Sequence, residues 1–413
     1  MLNILLITWA LFAGIIMARA LNIFKLPNVT AYLIAGVLIG PSILGRLSIE
    51  GIGFNNFEEV HRITIISDVA LGFIAFANGH EFKLHNLRNF GKQVFTIGIL
   101  QAVIATICVD IVLVVLHFVI PDIVTLPMAI TLGAIAAATA PASTLMVVKQ
   151  YNAKGPVADI LLPIVAINDA VGLVIFSISF GVAGAMVSGN ASILNILVEP
   201  VLEITLSLIL GAIVAVVLTF IVNRLNTKSS QLMMIITSII LIVAIAKLSL
   251  KVGEFGISFS PLLSCMMLGA VFCNMYKYSD ELMDDTYNWS QPVLVLFFVL
   301  SGAELNLSVF TNIIVVMVGL AYIFARTFGK YFGAKFSATI AGSNNVVRKY
   351  LGIALLPQAG VALGMSAIAA NAFGENGLLI RNITLFGVLI YELVGPTFTK
   401  MALIKAGDIK SKL

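Results

Sequence analysis

The chain has 413 residues, of which 60% are hydrophobic and 11% charged, with a mean hydropathy of +1.07. A soluble domain carries about 25% charged residues, so a soluble enzyme or binding module is excluded. The net charge of +4 and isoelectric point near 8.9 are better explained by basic loops at one membrane face than by nucleic-acid binding.

Apolar runs of roughly 20 residues, each enough to cross a bilayer, recur from end to end. Thirteen spans are the simplest parse, near 2–20, 27–45, 63–80, 91–118, 124–150, 156–185, 195–223, 231–249, 257–275, 290–303, 308–334, 348–371 and 377–403. The first starts at Leu2 with no basic segment before it, so it is expected to be a retained helix and not a signal peptide. The tenth is short because the polar run Ser301-Gly302-Ala303-Glu304 interrupts it. Connecting loops are brief, and none leaves room for a second soluble domain. Cys108, Cys265 and Cys273 lie inside apolar runs and read as small core residues.

Loop charge sets the expected orientation. Lys83, Lys92, Lys154, Arg224, Lys277, Arg348 and Lys400 are among the many basic residues on one face, whereas Arg46, Arg62, Lys251 and Arg381 fall on the other. The positive-inside rule then predicts an outside N-terminus and a cytoplasmic C-terminus.

The fifth span carries "ATAPASTLMVV" and the twelfth "LLPQAGVALGM". Pro141 and Pro357, each among small and polar residues, interrupt what would otherwise be continuous apolar helices. One such proline alone reads as a packing kink. Freed backbone groups at membrane depth persist only against protein or a wet cavity. A matched pair in corresponding halves therefore points to a transporter site at mid-depth.

Between them lies "PIVAINDAVGLVIF", which places Asn168 and Asp169 about thirteen residues into the sixth span. At a rise of about 1.5 Å per residue, Asp169 sits near the middle of the bilayer. An ionisable group there costs at least roughly 2.5–3.5 kcal/mol even on permissive scales. A structural ion pair is one explanation. The other is a carboxylate that holds a proton or a small cation in turn, which a proton-coupled cation carrier requires. Asn168, Thr139, Ser143 and Thr144 are candidate oxygen donors for a hard cation; each also has a plain structural reading, a bond to the preceding turn or to an opened helix. Arg326 and Lys330 of "IFARTFGKYFGAKF" are four apart and share a helix face. Lys330 is expected to balance Asp169, and Arg326 to bind broken-helix carbonyls or a carboxylate; both could instead snorkel to the interface. Glu392 in "YELVGPTFTK" either pairs with Arg326 or stabilises its own helix. Asp68 reads as an interfacial acid or as part of a vestibule.

His80, Glu81 and His85 follow the third span, where a pH sensor and a solvated loop are both consistent with the residues. Gly36/Gly40, Gly329/Gly333 and Gly360/Gly364 have spacings that let helices approach closely. The sequence contains no nucleotide-binding loop, no "HExxH" and no Cys/His metal pattern. His61, His80, His85 and His117 lie at or near span ends, so no catalytic triad converges at depth. No enzyme activity and no cofactor are expected.

In this order, "LPNVTAYLIAGVLIGPSILG", "ATAPASTLMVV", "AINDAVGL", "RTFGKYFGAK" and "LLPQAGVALG" resemble the monovalent cation:proton antiporter superfamily, in its bacterial sodium/hydrogen exchanger branch. The likeness covers nearly the whole chain. It implies an all-α polytopic membrane protein of 13 transmembrane helices, an inverted repeat with two crossed broken helices, and a homodimer working as an elevator. Residues 1–90 and 231–304 would form the dimerisation domain, 91–190 and 305–413 the transport core, and 191–230 the linker helix. Asp169 would carry proton and cation by turns, Thr139 and Asn168 would support the site, Lys330 would match the family's lysine of the eleventh span, and the breaks would fall at Pro141 and Pro357. From the residues themselves, Thr139 is expected as a second monovalent-cation ligand with Ser143 beside it, and Arg326 and Glu392 are expected to compensate charge with Lys330.

Two departures from the family pattern bear on mechanism. Asn168-Asp169 stands where many relatives read Asp-Asp, which favours electroneutral exchange, whereas Lys330 is of the electrogenic kind. No nucleotide-binding regulatory domain is expected, and that expectation favours Na+ over glutathione-gated K+ efflux. A K+/H+ efflux antiporter and a sodium-coupled organic-anion symporter remain alternatives. The resemblance places the chain in the cell's inner (plasma) membrane.

Overall fold

The computed structural model describes residues 2–23, 27–47, 53–84, 91–188, 193–248, 250–252, 255–257 and 259–409. His85, of the expected histidine cluster, lies outside them. Sixteen α-helices dominate the described residues. In chain order they are α1 (Leu2–Asn22), α2 (Asn28–Ile39), α3 (Phe57–His61), α4 (Ile65–His80), α5 (Lys92–Val119), α6 (Leu126–Ala136), α7 (Pro141–Gln150) and α8 (Ala158–Ser188). There follow α9 (Ile193–Val222), α10 (Lys228–Lys247), α11 (Pro261–Met275), α12 (Ser279–Ala303), α13 (Ile313–Ile340), α14 (Asn345–Ala354), α15 (Gly360–Ala372) and α16 (Gly374–Ala406). A small hairpin pairs β1 (Leu250–Val252) with β2 (Phe255–Ile257).

Nine helices among the described residues are long and apolar enough to cross a membrane. Ile65–His80, Leu126–Ala136, Pro261–Met275 and Gly360–Ala372 are apolar but shorter. The fifth and twelfth predicted spans are each two half-helices: α6 and α7 flank residues 137–140, and α14 and α15 flank residues 355–359. Pro141 is the first residue of α7, where a missing N–H costs nothing. Pro357 lies in the second unwound link. The tenth predicted span, 290–303, belongs to a helix that starts at Ser279, because Asp280 and Glu281 favour its first turn.

Packing falls into two groups. Helix α5 lies along α13, α6 and α8, and α16 packs on α14 and α15. Helix α4 instead packs on α11 and α12, and α12 on α2 and α1. At the α4 terminus, His80 and Lys83 meet Asp280 at 2.9 and 2.6 Å. At its other end Asp68 pairs with Lys247. Two further pairings tie the chain ends of helices together. Lys228 pairs with Glu281, and Asp408, just beyond α16, accepts from the backbone N–H groups of Val157 and Ala158 at 2.9 and 2.7 Å. That last contact caps the start of α8, the helix that carries Asp169.

Candidate functional site

The two unwound links touch each other: Ala140 N donates to Pro357 O at 2.9 Å. A helix leaves its last four carbonyls without intrahelical partners, and these must be satisfied where water is scarce. Helix α13 meets that need. Arg326 is fully buried and donates from Nε to Ala136 O at 3.1 Å, from Nη2 to Ala138 O at 2.7 Å and from Nη1 to Leu356 O at 2.7 Å. Its guanidinium also lies over the Tyr391 ring, 4.4 Å from the centroid. Lys330, one turn on and also fully buried, donates to Ala137 O at 2.5 Å and to Thr139 Oγ1 at 2.9 Å. Gln358, from the second link, donates to Ile135 O at 3.0 Å. Neither basic residue snorkels, and Arg326 takes the carbonyls of both broken helices.

At the opposite, N-terminal pole of α7 stands a fully buried acid, Glu392 of α16. Ser143, in the first turn of α7, lies 2.6 and 2.7 Å from its two carboxyl oxygens. An acid is favourable beside a helix N-terminus and bases beside a C-terminus, so the poles of the broken helix face charges of opposite sign. The Glu392–Arg326 pairing left open by the sequence is not formed: Glu392 goes to Ser143, and Arg326 to carbonyls.

Asp169 is 1% exposed and lies beside the first link. Its Oδ1 is 3.5 Å from Thr139 N, and its Oδ2 accepts from Asn78 Nδ2 at 3.0 Å. Asn168 Nδ2 donates to Thr139 Oγ1 at 3.3 Å, while Asn168 Oδ1 is buried without a hydrogen-bond partner. Lys330 reaches Thr139 and forms no direct ion pair with Asp169. Asp169, Asn168, Thr139, Lys330 and Arg326 thus gather around one link, whereas Ser143 and Glu392 form a separate pair. Asn78 was not among the predicted residues. It ends the otherwise apolar run of α4, and a lone amide near a helix terminus carried no pattern that set it apart.

A cavity of about 240 Å³ opens along the seam between the two packing groups, lined by Asn78, Glu81 and Tyr287 on one side and by Ala140 and Gly360 on the other. Among the described residues no cluster of three His, Cys, Asp or Glu is placed to hold a metal ion. Of the oxygens beside Asp169, the Thr139 hydroxyl is taken by Lys330 and Asn168, and Asn168 Oδ1 is without a partner; carboxylate and amide oxygens are the kind that hard cations take.

Two interrupted helices thus meet at their unwound links, with buried bases on their free carbonyls and a buried acid at the start of α7, in a chain with nine helices among the described residues long and apolar enough to cross a membrane. The family described as "Sodium/hydrogen exchanger, transmembrane" matches residues 7–405, and the chain belongs to it. Two solved structures of the sodium proton antiporter MjNhaP1 from Methanocaldococcus jannaschii are similar in fold. The structure at pH 8 is 20% identical with a TM-score of 0.75, and covers 98% of each chain. The second, described as an electron-microscopy map, is 19% identical with a TM-score of 0.71 and the same coverage. No curated protein matches the chain. The family is one of transporters, and it supports cation/proton antiport across a membrane as the general activity.

Proposed function

We propose that this protein is a secondary active antiporter that exchanges cytoplasmic Na+ (or Li+) for external H+, with Asp169 holding the proton and the cation in turn. One observation carries the reading. A carboxylate 1% exposed sits at the broken-helix crossing, held by a neutral amide and a backbone N–H with no direct basic partner. An acid locked to a base is a poor exchange site; this one is free to accept either a proton or an ion. An organic anion finds no unoccupied base here, because Arg326 and Lys330 are both committed to carbonyls.

Asn168 cannot release a proton, so one proton per monovalent cation is the proposed exchange, and it is electroneutral. Each net charge moved would couple to voltage by about 2.3 kcal/mol per 100 mV; none is moved here. Residues 91–190 and 305–413 are proposed as the moving core and residues 1–90 and 231–304 as the dimerisation domain, joined through 191–230. With the four shorter apolar helices and their paired half-helices added to the nine long ones, the described residues are proposed to make thirteen crossings. The protein is proposed to be a homodimer in the plasma membrane, with its N-terminus outside and its C-terminus in the cytoplasm.

The test is a Na+ pulse given to proteoliposomes containing a pH dye. Wild-type protein should produce a Na+-dependent pH change whose rate does not alter under an imposed voltage. Asp169→Asn should abolish it. Undiminished exchange in that variant would remove Asp169 from its role.

A further inference from the structure

We propose that Asn78 supplies the transported cation with an oxygen ligand from across the seam, making the site's cation affinity depend on which side it faces. The proposal deepens the antiport reading and rests on Asp169 being the cation site.

The argument begins from which oxygens near Asp169 are free. A hydroxyl oxygen has two acceptor sites, and those of Thr139 are both taken, by Lys330 Nζ at 2.9 Å and Asn168 Nδ2 at 3.3 Å. The Ser143 hydroxyl is held by Glu392. Two of the oxygens expected to help Asp169 are therefore spoken for. Asn168 Oδ1 has no partner and remains available. The side chain that hydrogen-bonds to the carboxylate is Asn78, through its Nδ2 at 3.0 Å. A carboxamide carries a donor at one end and an acceptor at the other. Rotating its plane by half a turn replaces the N–H that faces Asp169 with a carbonyl oxygen, without displacing the backbone. With a cation beside Asp169, that rotation turns a hydrogen-bond donor into a metal ligand.

The position of Asn78 gives this consequences for transport. It lies on α4, which packs on α11 and α12, whereas Asp169 lies on α8, which packs on α5 and α6. It also lines the 240 Å³ seam cavity together with Glu81, whose negative charge favours a cation there. A ligand set divided between two bodies is complete only while they keep this relation. When the bodies shift, the cation loses the Asn78 oxygen and retains those carried by α8. Binding is then tighter on the side where the cavity opens and weaker on the other, which favours release.

The experiment measures Na+ dependence from each face separately, in oriented proteoliposomes, for wild type, Asn78→Leu and Asn78→Asp. Asn78→Leu keeps the approximate volume and removes both polar ends. Its apparent Na+ affinity should fall on the order of tenfold or more from the Asn78 side and remain unchanged from the other. Asn78→Asp retains an oxygen and loses the N–H donor, so it should keep the wild-type asymmetry. That variant also decides the matter if Asn78→Leu does not fold. If Asn78 merely positions the carboxylate as a donor, Asn78→Asp lacks that donor and loses Na+ affinity as Asn78→Leu does, equally from both faces. That result, or an equal change on both faces in Asn78→Leu, or none, overturns the proposal. Loss of the antiport reading itself is distinguishable, because it would appear as exchange surviving in Asp169→Asn.

Discussion

Arg326 is the largest of the fully buried side chains among the described residues, and its three carbonyl contacts explain why a permanent charge is tolerated at that depth. Each buried carbonyl left without a donor costs about 1–3 kcal/mol. A lysine at this position has a single nitrogen on a flexible stem and cannot span Ala136, Ala138 and Leu356 together. Arg326→Lys should therefore lower stability by about 2–4 kcal/mol and disable exchange. Thermal unfolding in detergent alongside flux assays checks this; a variant of wild-type stability and rate would mean that the carbonyls find other donors. At this scale the sequence revealed the charged residues but not their partners. Arg326 and Lys330 were legible because a charge in an apolar run is costly wherever it falls. Asn78 and Asp408 were not, because their partners are supplied only by the fold. Asn78 meets a residue 91 positions away, and Asp408 meets backbone groups about 250 positions away.

For the helices as elements, the interruptions were readable from proline beside small polar residues, and both fall where Pro141 and Pro357 indicated. What composition could not give was which pole each charge would occupy, since that depends on how α13 and α16 lie against the links. Glycine spacing was informative for a different reason. A Cβ on Gly36 would sit 1.9 Å from Val299 O, and one on Gly302 would sit 2.1 Å from Leu33 O. Helices α2 and α12 thus meet backbone to backbone, which small residues alone permit. The obstacle is a carbonyl of the facing helix, so no rotamer change relieves it. Gly36→Val should separate the pair and cost about 3 kcal/mol. A lower melting temperature with an earlier monodisperse-to-aggregated transition on size exclusion is the expected result. The Gly36/Gly40 spacing, read in the sequence as a close-approach motif of no specific function, is in this fold a packing requirement.

At the scale of the whole molecule, the two packing groups are joined by polar contacts at both ends of α4. Near its C-terminal end Asn78 meets Asp169, beside the 240 Å³ cavity. Near its N-terminal end Arg381 of α16 pairs with Glu304, at the end of α12, through Nη2 at 2.6 Å and Nε at 2.7 Å. Asn306 N also donates there to Asn382 Oδ1 at 2.8 Å, and a cavity of about 550 Å³ lies alongside. The run Ser301-Gly302-Ala303-Glu304, read from sequence as the interruption of a short span, is the other half of this clasp. Arg381 is 3% exposed and also donates to Leu363 O at 2.6 Å and to Ser366 Oγ at 3.0 Å.

If the groups move against each other as proposed, this ion pair must open when the Asn78 side closes. It therefore biases the protein towards the arrangement described here. Glu304→Gln keeps the shape but removes the charge. Stripping a partner from a buried pair costs about 3–5 kcal/mol, but the guanidinium keeps its carbonyl and hydroxyl acceptors, so the loss is nearer 1.4 kcal/mol, a tenfold change in the equilibrium. Ala77, half-buried in the lining of the Asn78 cavity, reports it. In a background with Cys108 replaced by Ser, Ala77→Cys should react more slowly with a membrane-impermeant thiol reagent applied from the cavity side once Glu304→Gln is added. Na+ should restore part of the labelling if it binds more tightly in the Asn78-facing arrangement. A labelling rate that ignores Glu304 would show that the clasp holds α12 to α16 equally in both arrangements, so that the movement takes place elsewhere in the fold.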